Sequence, residues 1–194
     1  PTSACNSITT ALDLCTASEG DIIVCLPGHV EAVTAATDIA GGLFLDVAGV
    51  TIYFLGEGAN RAKITFGTAV GADMNVDAAN ITLVNPLFVS AVDALTGPID
   101  VNAADFTIIN GEYRDAAAMA AIDCIVADAG ATRMVIDGWR FIDSTTGTHW
   151  PSIHRKLPVN ISSVMRFCEA ASMLFGVVAL AVVLYGSHCA DEME

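Results

Sequence analysis

VDAANITL, residues 76–83, recurs 25 residues later as VNAADFTI, residues 101–108, with each position keeping its residue type. A diverged copy lies a further 28 residues on, within residues 134–143, and an earlier copy lies 31 residues upstream, within residues 45–52. Four copies at such intervals are typical of the successive coils of a solenoid, in which each unit contacts only its neighbours.

Each copy contains a short β-branched strand, a bend of small or Asn, Asp and Gly residues, and a second short strand that ends in an aromatic residue. Such a unit cannot bury its apolar side alone. Stacking the copies about 4.8 Å apart pairs their backbones and places like residues over like. The predicted columns are Val50/Ile81/Phe106/Met134, Phe88/Tyr113/Phe141, a polar ladder of Asn85 over Asn110, and Met74-Asn75 over Ile99-Asp100.

The sequence therefore predicts an all-β fold, a right-handed parallel β-helix, because right-handed crossovers are the default for parallel strands. The repeat itself covers about residues 45–143, and we assign residues 1–148 to one β-helix domain. Apolar residues at helical spacing over Ile8–Cys15, after Ser7 or Asn6 as N-cap, predict a short N-terminal capping helix. A first strand is predicted directly after it, within residues 21–29.

Residues 149–194 form a predicted C-terminal apolar tail. A basic stretch at residues 154–156 precedes an uncharged run from Ala170 to Gly186. That run is at the lower length limit of a membrane-spanning helix. We favour burial of the tail inside an assembly over a membrane anchor, and its valines leave helix and strand open.

Two other folds compete with the solenoid. A βαβ sheet needs a helix between strands, and DAAAMAAIDC, residues 115–124, is the one segment that could supply it. The remaining gaps are too short or too rich in Gly and Pro. A β-sandwich is disfavoured because no two-residue Asn-Gly hairpin separates the runs.

The chain is acidic and apolar. Its 194 residues are 54% hydrophobic and 15% charged, with a formal net charge of −14. Positions 1–148 hold 18 acidic and 5 basic residues. A field of this sign repels phosphates, so a nucleic-acid partner is disfavoured, while a basic or cation-bridged partner surface fits.

Six cysteines are too scattered for a zinc site: Cys5, Cys15, Cys25, Cys124, Cys168 and Cys189. The spacing of the first three permits disulfides between neighbouring strands, and buried free thiols fit as well. The chain also lacks a complete dinucleotide fingerprint, a Walker loop and a nucleophile elbow, so no cofactor is predicted.

Carboxylates are the candidates for chemistry, because neighbouring coils can bring two acids about 5 Å apart, the separation in retaining glycosidases. Asp115 and Asp143 align after the aromatic position, and Glu112 precedes it. If the protein has a catalytic or hard-cation site, these three residues are predicted to form it. The alternative is a solvated acidic face with Asp at bends.

A family resemblance rests on GDIIVCLPGH at residues 20–29, LDVAGVTI at 45–52, NGEYRD at 110–115 and DGWRFID at 137–143. Together these segments resemble right-handed parallel β-helix proteins, of pectin-lyase-like fold, encoded by tailed bacteriophages. The likeness covers about residues 8–148. It implies the fold, and it carries over no catalytic residue, because no polysaccharide-cleaving motif of those relatives matches.

The resemblance and the acidic, motif-poor repeats lead us to expect a non-enzymatic virion structural protein. We expect a homotrimeric capsid decoration or cement protein of a tailed phage, made in the host cytoplasm and bound to the major capsid protein. The alternatives are a small polysaccharide-active, tailspike-like β-helix, which would be a hydrolase or lyase, and a surface protein anchored in a membrane by Ala170–Gly186.

Overall fold

A computed structural model describes residues 4–36, 41–116, 119, 121–142, 152–155 and 164–167. These residues form a parallel β-solenoid of four three-stranded coils, with three further strands continuing the stack and one short α-helix at its start. The predicted parallel β-helix with a capping helix is confirmed. Its right-handed sense stays a prediction.

Each coil supplies one strand to each of three parallel sheets. Coil 1 contains β1 (Ile22–Cys25), β2 (Val30–Val33) and β3 (Leu43–Leu45), and coil 2 contains β4 (Thr51–Phe54), β5 (Lys63–Phe66) and β6 (Met74–Val76). Coil 3 contains β7 (Thr82–Val84), β8 (Leu87–Ser90) and β9 (Ile99–Val101), and coil 4 contains β10 (Thr107–Ile109), β11 (Glu112–Asp115) and β12 (Asp123–Ala127). The stack continues with β13 (Val135–Ile142), β14 (Ser152–Arg155) and β15 (Val164–Phe167).

We name the sheets by the order in which a coil visits them. Sheet 1 stacks β1, β4, β7, β10, the first half of β13 and β15; sheet 2 stacks β2, β5, β8, β11 and the second half of β13; sheet 3 stacks β3, β6, β9, β12 and β14. The four predicted copies correspond to the start of coils 2, 3 and 4 and to β13. A complete coil precedes them.

Strand register reproduces the predicted stacking. Thr82 lies between Thr51 and Thr107, so the buried residues that precede these strands form the Val50/Ile81/Phe106/Met134 column. Met74 lies opposite Ile99, and Asn75 lies opposite Asp100, in sheet 3. The core is a set of such columns, for example Ile23, Ile52, Leu83, Ile108 and Ile136 in sheet 1. Each buried aliphatic side chain contributes about 1.5–3 kcal/mol to folding.

Corners between sheets 3 and 1 recur in one backbone conformation. The residue before each buried column member adopts a positive φ, at Gly49, Asn80, Asp105 and Arg133. Asn and Asp tolerate this left-handed region better than other non-glycine residues, which explains the Asn/Asp bend of the repeat.

Corners between sheets 1 and 2 vary in length, whereas the strands they join keep their register. The connection comprises residues 55–62 in coil 2, including a 3-10 turn at Gly58–Asn60, but only residues 85–86 in coil 3. In β13 the chain passes from sheet 1 to sheet 2 within one strand.

Helix α1 (Ile8–Leu12) covers the first coil. Ser7 is its N-cap, and the Ser7 hydroxyl accepts a hydrogen bond from the Thr10 N–H at 3.1 Å. Ile8 and Leu12 are buried against the end of the core. The helix ends earlier than the predicted Ile8–Cys15, and residues 13–14 form a turn.

Strands occur both within residues 115–124 and within the predicted C-terminal tail. Residues 115–124 begin in β11 and end in β12, so the alternative that required a helix there is wrong. Strands β14 and β15 lie in the segment predicted as tail, and they pair with β12 and β13. The Ala170–Gly186 run and Asp143 lie outside the described residues. Among the described residues, no helix is long and apolar enough to cross a membrane.

Candidate functional site

Glu112, the first predicted acid, points outward from sheet 2 into a cluster of basic residues. Register places Glu112 beside Leu87 on one side and Arg140 on the other, with Lys63 next to Leu87. Arg114 follows two residues along the same strand and faces the same way. We call Arg61, Lys63, Glu112, Arg114 and Arg140 the sheet 2 cluster.

The Glu112 carboxylate is neutralised inside this cluster. It accepts a hydrogen bond from Arg114 Nε, and its Oε2 lies 3.5 Å from Arg61 Nη2. The Glu112 side chain is 7% exposed and the Arg61 side chain 13%. Removing either partner of so buried a pair leaves an uncompensated charge, so the pair fixes both side chains in place.

Arg61 also joins three coils. From coil 2, its guanidinium donates to the Asn85 side-chain oxygen at 3.2 Å and to the Pro86 carbonyl at 3.1 Å, both in coil 3, and it reaches Glu112 in coil 4. Burial lowers the pKa of Arg61, the Glu112 carboxylate raises it, and the Arg114 and Arg140 cations lower it further. A guanidinium stays protonated at neutral pH despite such shifts, so the cluster keeps an excess of positive charge.

Asp115, the second predicted acid, points into the coil. It lies in register with Ser90, and both are buried at the last inward position of their strands. Asp115 accepts a hydrogen bond from the Ala121 N–H at 3.3 Å, and the Ser90 hydroxyl donates to the Val92 carbonyl at 3.1 Å. Each side chain therefore hydrogen-bonds to the segment that follows its strand and connects sheet 2 to sheet 3.

Glu112 and Asp115 are not brought together. They are three residues apart on one strand, so their side chains leave it on opposite faces. Glu112 lies buried among basic side chains on the outer face, and Asp115 faces Tyr113 and Cys124. Burial, with a smaller effect of Asp115, raises the pKa values of Tyr113 and Cys124. A carboxylate pair acting on one glycosidic bond cannot be built from these two residues. The third predicted acid, Asp143, lies outside the described residues.

The predicted ladder residues occupy equivalent positions in successive coils. Phe88, Tyr113 and Phe141 are in register, and the Tyr113 and Phe141 rings stack with centroids 5.7 Å apart. Asn85 and Asn110 both adopt positive φ at the corner between sheets 1 and 2. The Asn85 amide donates to the Phe54 carbonyl at 2.9 Å, so its contacts run to the preceding coil and to Arg61.

Four cysteines belong to the described residues, and all four are free thiols. Cys25 and Cys124 are buried, and Cys5 is exposed. Burial, with a smaller effect of Glu31, raises the pKa of Cys25 to about 12, so this thiol is a poor nucleophile at neutral pH. Within the described part of the chain, no group of three or more His, Cys, Asp or Glu could hold a metal ion.

A shallow apolar groove lies between α1 and β1 at the first coil. The outward side chains of Ile22 and Val24 line it together with Leu14 and Leu26, and these four are between 48% and 70% exposed. Tyr53 and Leu55 continue the apolar surface onto the second coil, in line with Val24 and Leu26. Exposed apolar surface of this kind is typical of protein–protein or membrane contact sites and of ligand-binding grooves.

We did not predict the sheet 2 cluster from the sequence, although aligning the repeat copies places some of its residues at equivalent positions. Aligning Phe88, Tyr113 and Phe141 places Glu112 and Arg140 at the same point of successive copies. Counting back one coil further adds Lys63, but the irregular corner at 55–62 hides this alignment in the sequence.

No protein-family model, curated protein or solved structure matches this chain. The resemblance to phage β-helix proteins therefore stays an expectation from sequence, and the fold rests on the structure alone.

Proposed function

We propose that this β-solenoid is a non-enzymatic structural protein that works by assembling with other subunits. In its specific form, the proposal is a capsid decoration protein of a tailed phage that forms a homo-oligomer, expected to be a trimer, on the major capsid protein. Its location would then be the virion.

One observation carries the non-catalytic part of this proposal. The two described carboxylates predicted for chemistry serve the scaffold, Glu112 in ion pairs that join coils and Asp115 in the path between sheets 2 and 3. The buried, weakly nucleophilic thiols support the same role. The apolar groove on coil 1 and the basic cluster on sheet 2 offer contact surfaces for assembly.

Cosedimentation tests the proposal. The full chain is mixed with purified phage capsids that lack it, and pelleting is compared with that of the chain alone and with capsids already saturated by it. We expect saturable pelleting that depends on empty sites. Absence of binding to every capsid tested, together with release of sugars from host polysaccharide that is lost in Asp115→Asn, would favour the polysaccharide-active alternative.

A further inference from the structure

The outer face of sheet 1 is uncharged over its first four strands. Outward positions alternate with the buried column along each strand, and on β1, β4, β7 and β10 they hold aliphatic, aromatic or threonine side chains. Charge appears at the far end of the sheet, where Asp137 of β13 lies in register with Arg166 of β15. We call the uncharged outward residues the sheet 1 face: Ile22, Val24, Thr51, Tyr53, Thr82, Val84, Thr107 and Ile109.

The sheet 1 face is the side of the solenoid that suits an uncharged partner. At coil 1 it continues into the apolar groove, where Leu14 is 70% exposed. Outward positions on the other sheets include charged residues, such as Lys63 and Arg140 on sheet 2 and Asp100 on sheet 3. Contiguous apolar surface in water is unfavourable until something covers it.

The chain itself supplies an uncharged segment at the far end of this sheet. Strand β15 (Val164–Phe167) continues sheet 1 beside β13, and the uncharged run Ala170–Gly186 follows it after two residues. Five strand spacings separate β15 from β1, about 24 Å in all. The run is about 25 Å long at the rise of a helix and longer if extended. It is therefore long enough to cross the whole face and reach the groove.

We infer that Ala170–Gly186 packs on the sheet 1 face of its own chain and reaches the apolar groove at coil 1. Both surfaces lose apolar contact with water, and the nearest charges on either side of the run, Glu169 and Asp191, lie outside it. The short link to β15 gives the run a high effective concentration at this face, which favours it over a second molecule.

In the free chain the groove is then covered, so an assembly partner that uses the groove has to displace the run. This inference goes beyond the proposed function and does not depend on it. Its test uses the chain by itself, so its failure is distinguishable from failure to bind capsids.

Native thiols at the two ends of the run test the contact by cross-linking. Cys5 is exposed and lines the groove, Cys168 precedes the run, and Cys189 follows it. Two full-length variants, both with Cys15→Ser, keep one tail thiol each: Cys168→Ser keeps Cys189, and Cys189→Ser keeps Cys168. Each reacts with a short bismaleimide at low protein concentration, and gel electrophoresis with mass spectrometry measures the product. We expect the intramolecular Cys5–Cys189 cross-link in several-fold higher yield than Cys5–Cys168, because the run carries Cys189 to coil 1.

Charges placed on the face test which surface the run occupies. Val24 and Tyr53 lie opposite each other on neighbouring strands, so Val24→Glu with Tyr53→Glu puts two carboxylates under the run. We expect the yield of the Cys189 cross-link to fall several-fold. Thr65→Glu with Val89→Glu is the matched control, because it adds the same two charges at opposite outward positions of sheet 2, and the yield should stay unchanged.

Circular dichroism verifies that each variant is folded. If the face variant does not fold, Val178→Glu with Val182→Glu places the charges on the run instead, with the same loss of yield expected. Equal yields for the two tail thiols would overturn the inference, as would a Cys189 cross-link found only between two chains, which would assign the face to a second copy. Partition of the chain into detergent micelles without an intramolecular cross-link would overturn it too and favour the membrane anchor.

Discussion

At the scale of single residues, the packing of the core depends on a glycine, Gly111. Gly111 lies between Ile108 and Trp139, and a Cβ built on it would approach Ile108 Cγ2 and Trp139 Cε3 to 2.7 Å. The absent side chain lets the Trp139 ring reach Phe88, with ring centroids 6.0 Å apart. The Phe88 ring of coil 3 and the Trp139 ring of β13 therefore pack together across coil 4, which places only Gly111 between them.

Gly111→Ala is expected to lower the free energy of unfolding by about 1–3 kcal/mol, because an added methyl group overpacks this part of the core. Urea denaturation followed by circular dichroism measures the change. Gly67→Ala is the control, since a Cβ there has no atom within 4 Å. Equal stability of the two variants would contradict the packing described for Trp139.

Cys25 is expected to resist alkylation in the native protein. Iodoacetamide at about pH 8, followed by peptide mass spectrometry, should label exposed Cys5 and leave Cys25 unmodified until denaturant is added. The raised pKa also predicts a pH effect. Below pH 9.0, the ordinary pKa of the thiol, stability is unaffected, and between there and about 12 only the unfolded thiol ionises, so stability falls. Labelling of native Cys25 as fast as Cys5 would contradict its burial.

At the scale of elements, the strands of the repeated copies could be predicted from the sequence, whereas strands and contacts that occur only once could not. Strands β7 to β10 follow from the 25-residue match, because like residues must stack when each coil buries the same face. Coil 1 was missed beyond its first strand, since β2 carries Glu31 at the column position that Ile64, Phe88 and Tyr113 occupy in later coils. The sheet 2 cluster was missed because long-range register cannot be read across corners of unequal length.

Glu31 is the residue that attaches helix α1 to the stack. Its carboxylate accepts a hydrogen bond from the Ile8 N–H at 2.8 Å and lies 3.1 Å from His29 Nε2. The inward acid at the end coil thus satisfies one of the helix's unpaired N–H groups.

Glu31→Ala is expected to cost about 1–3 kcal/mol, since the buried Ile8 N–H loses its acceptor, and Glu31→Gln should cost less because its amide oxygen can still accept. Chemical denaturation of both variants, with exposed Glu57→Ala as reference, tests this order. A loss in Glu31→Ala no larger than in Glu57→Ala would rule out the attachment.

At the scale of the whole molecule, stability adds up coil by coil, as in other repeat proteins. Coil 1 has a neighbouring coil on one side only and depends on α1 for the other, whereas coil 3 is paired on both sides in all three sheets. Interior coils should therefore open together, and the first coil should open more often.

Hydrogen exchange with mass spectrometry is expected to show this gradient. Amides of β7 should exchange on the order of tenfold or more slowly than those of β1, because β7 pairs with both β4 and β10 while β1 pairs with β4 alone. Uniform protection from β1 to β10 would indicate instead that the solenoid opens as one unit.

The uneven corners between sheets 1 and 2 make this chain a candidate display scaffold. Residues 57–60 are exposed on a coil whose strands keep the register of their neighbours, and no atom lies within 4 Å of a Cβ built on Gly58. A foreign peptide grafted at Gly58 would leave the stack untouched. If copies assemble as proposed, each oligomer would present several such grafts, which is a practical route to multivalent antigens.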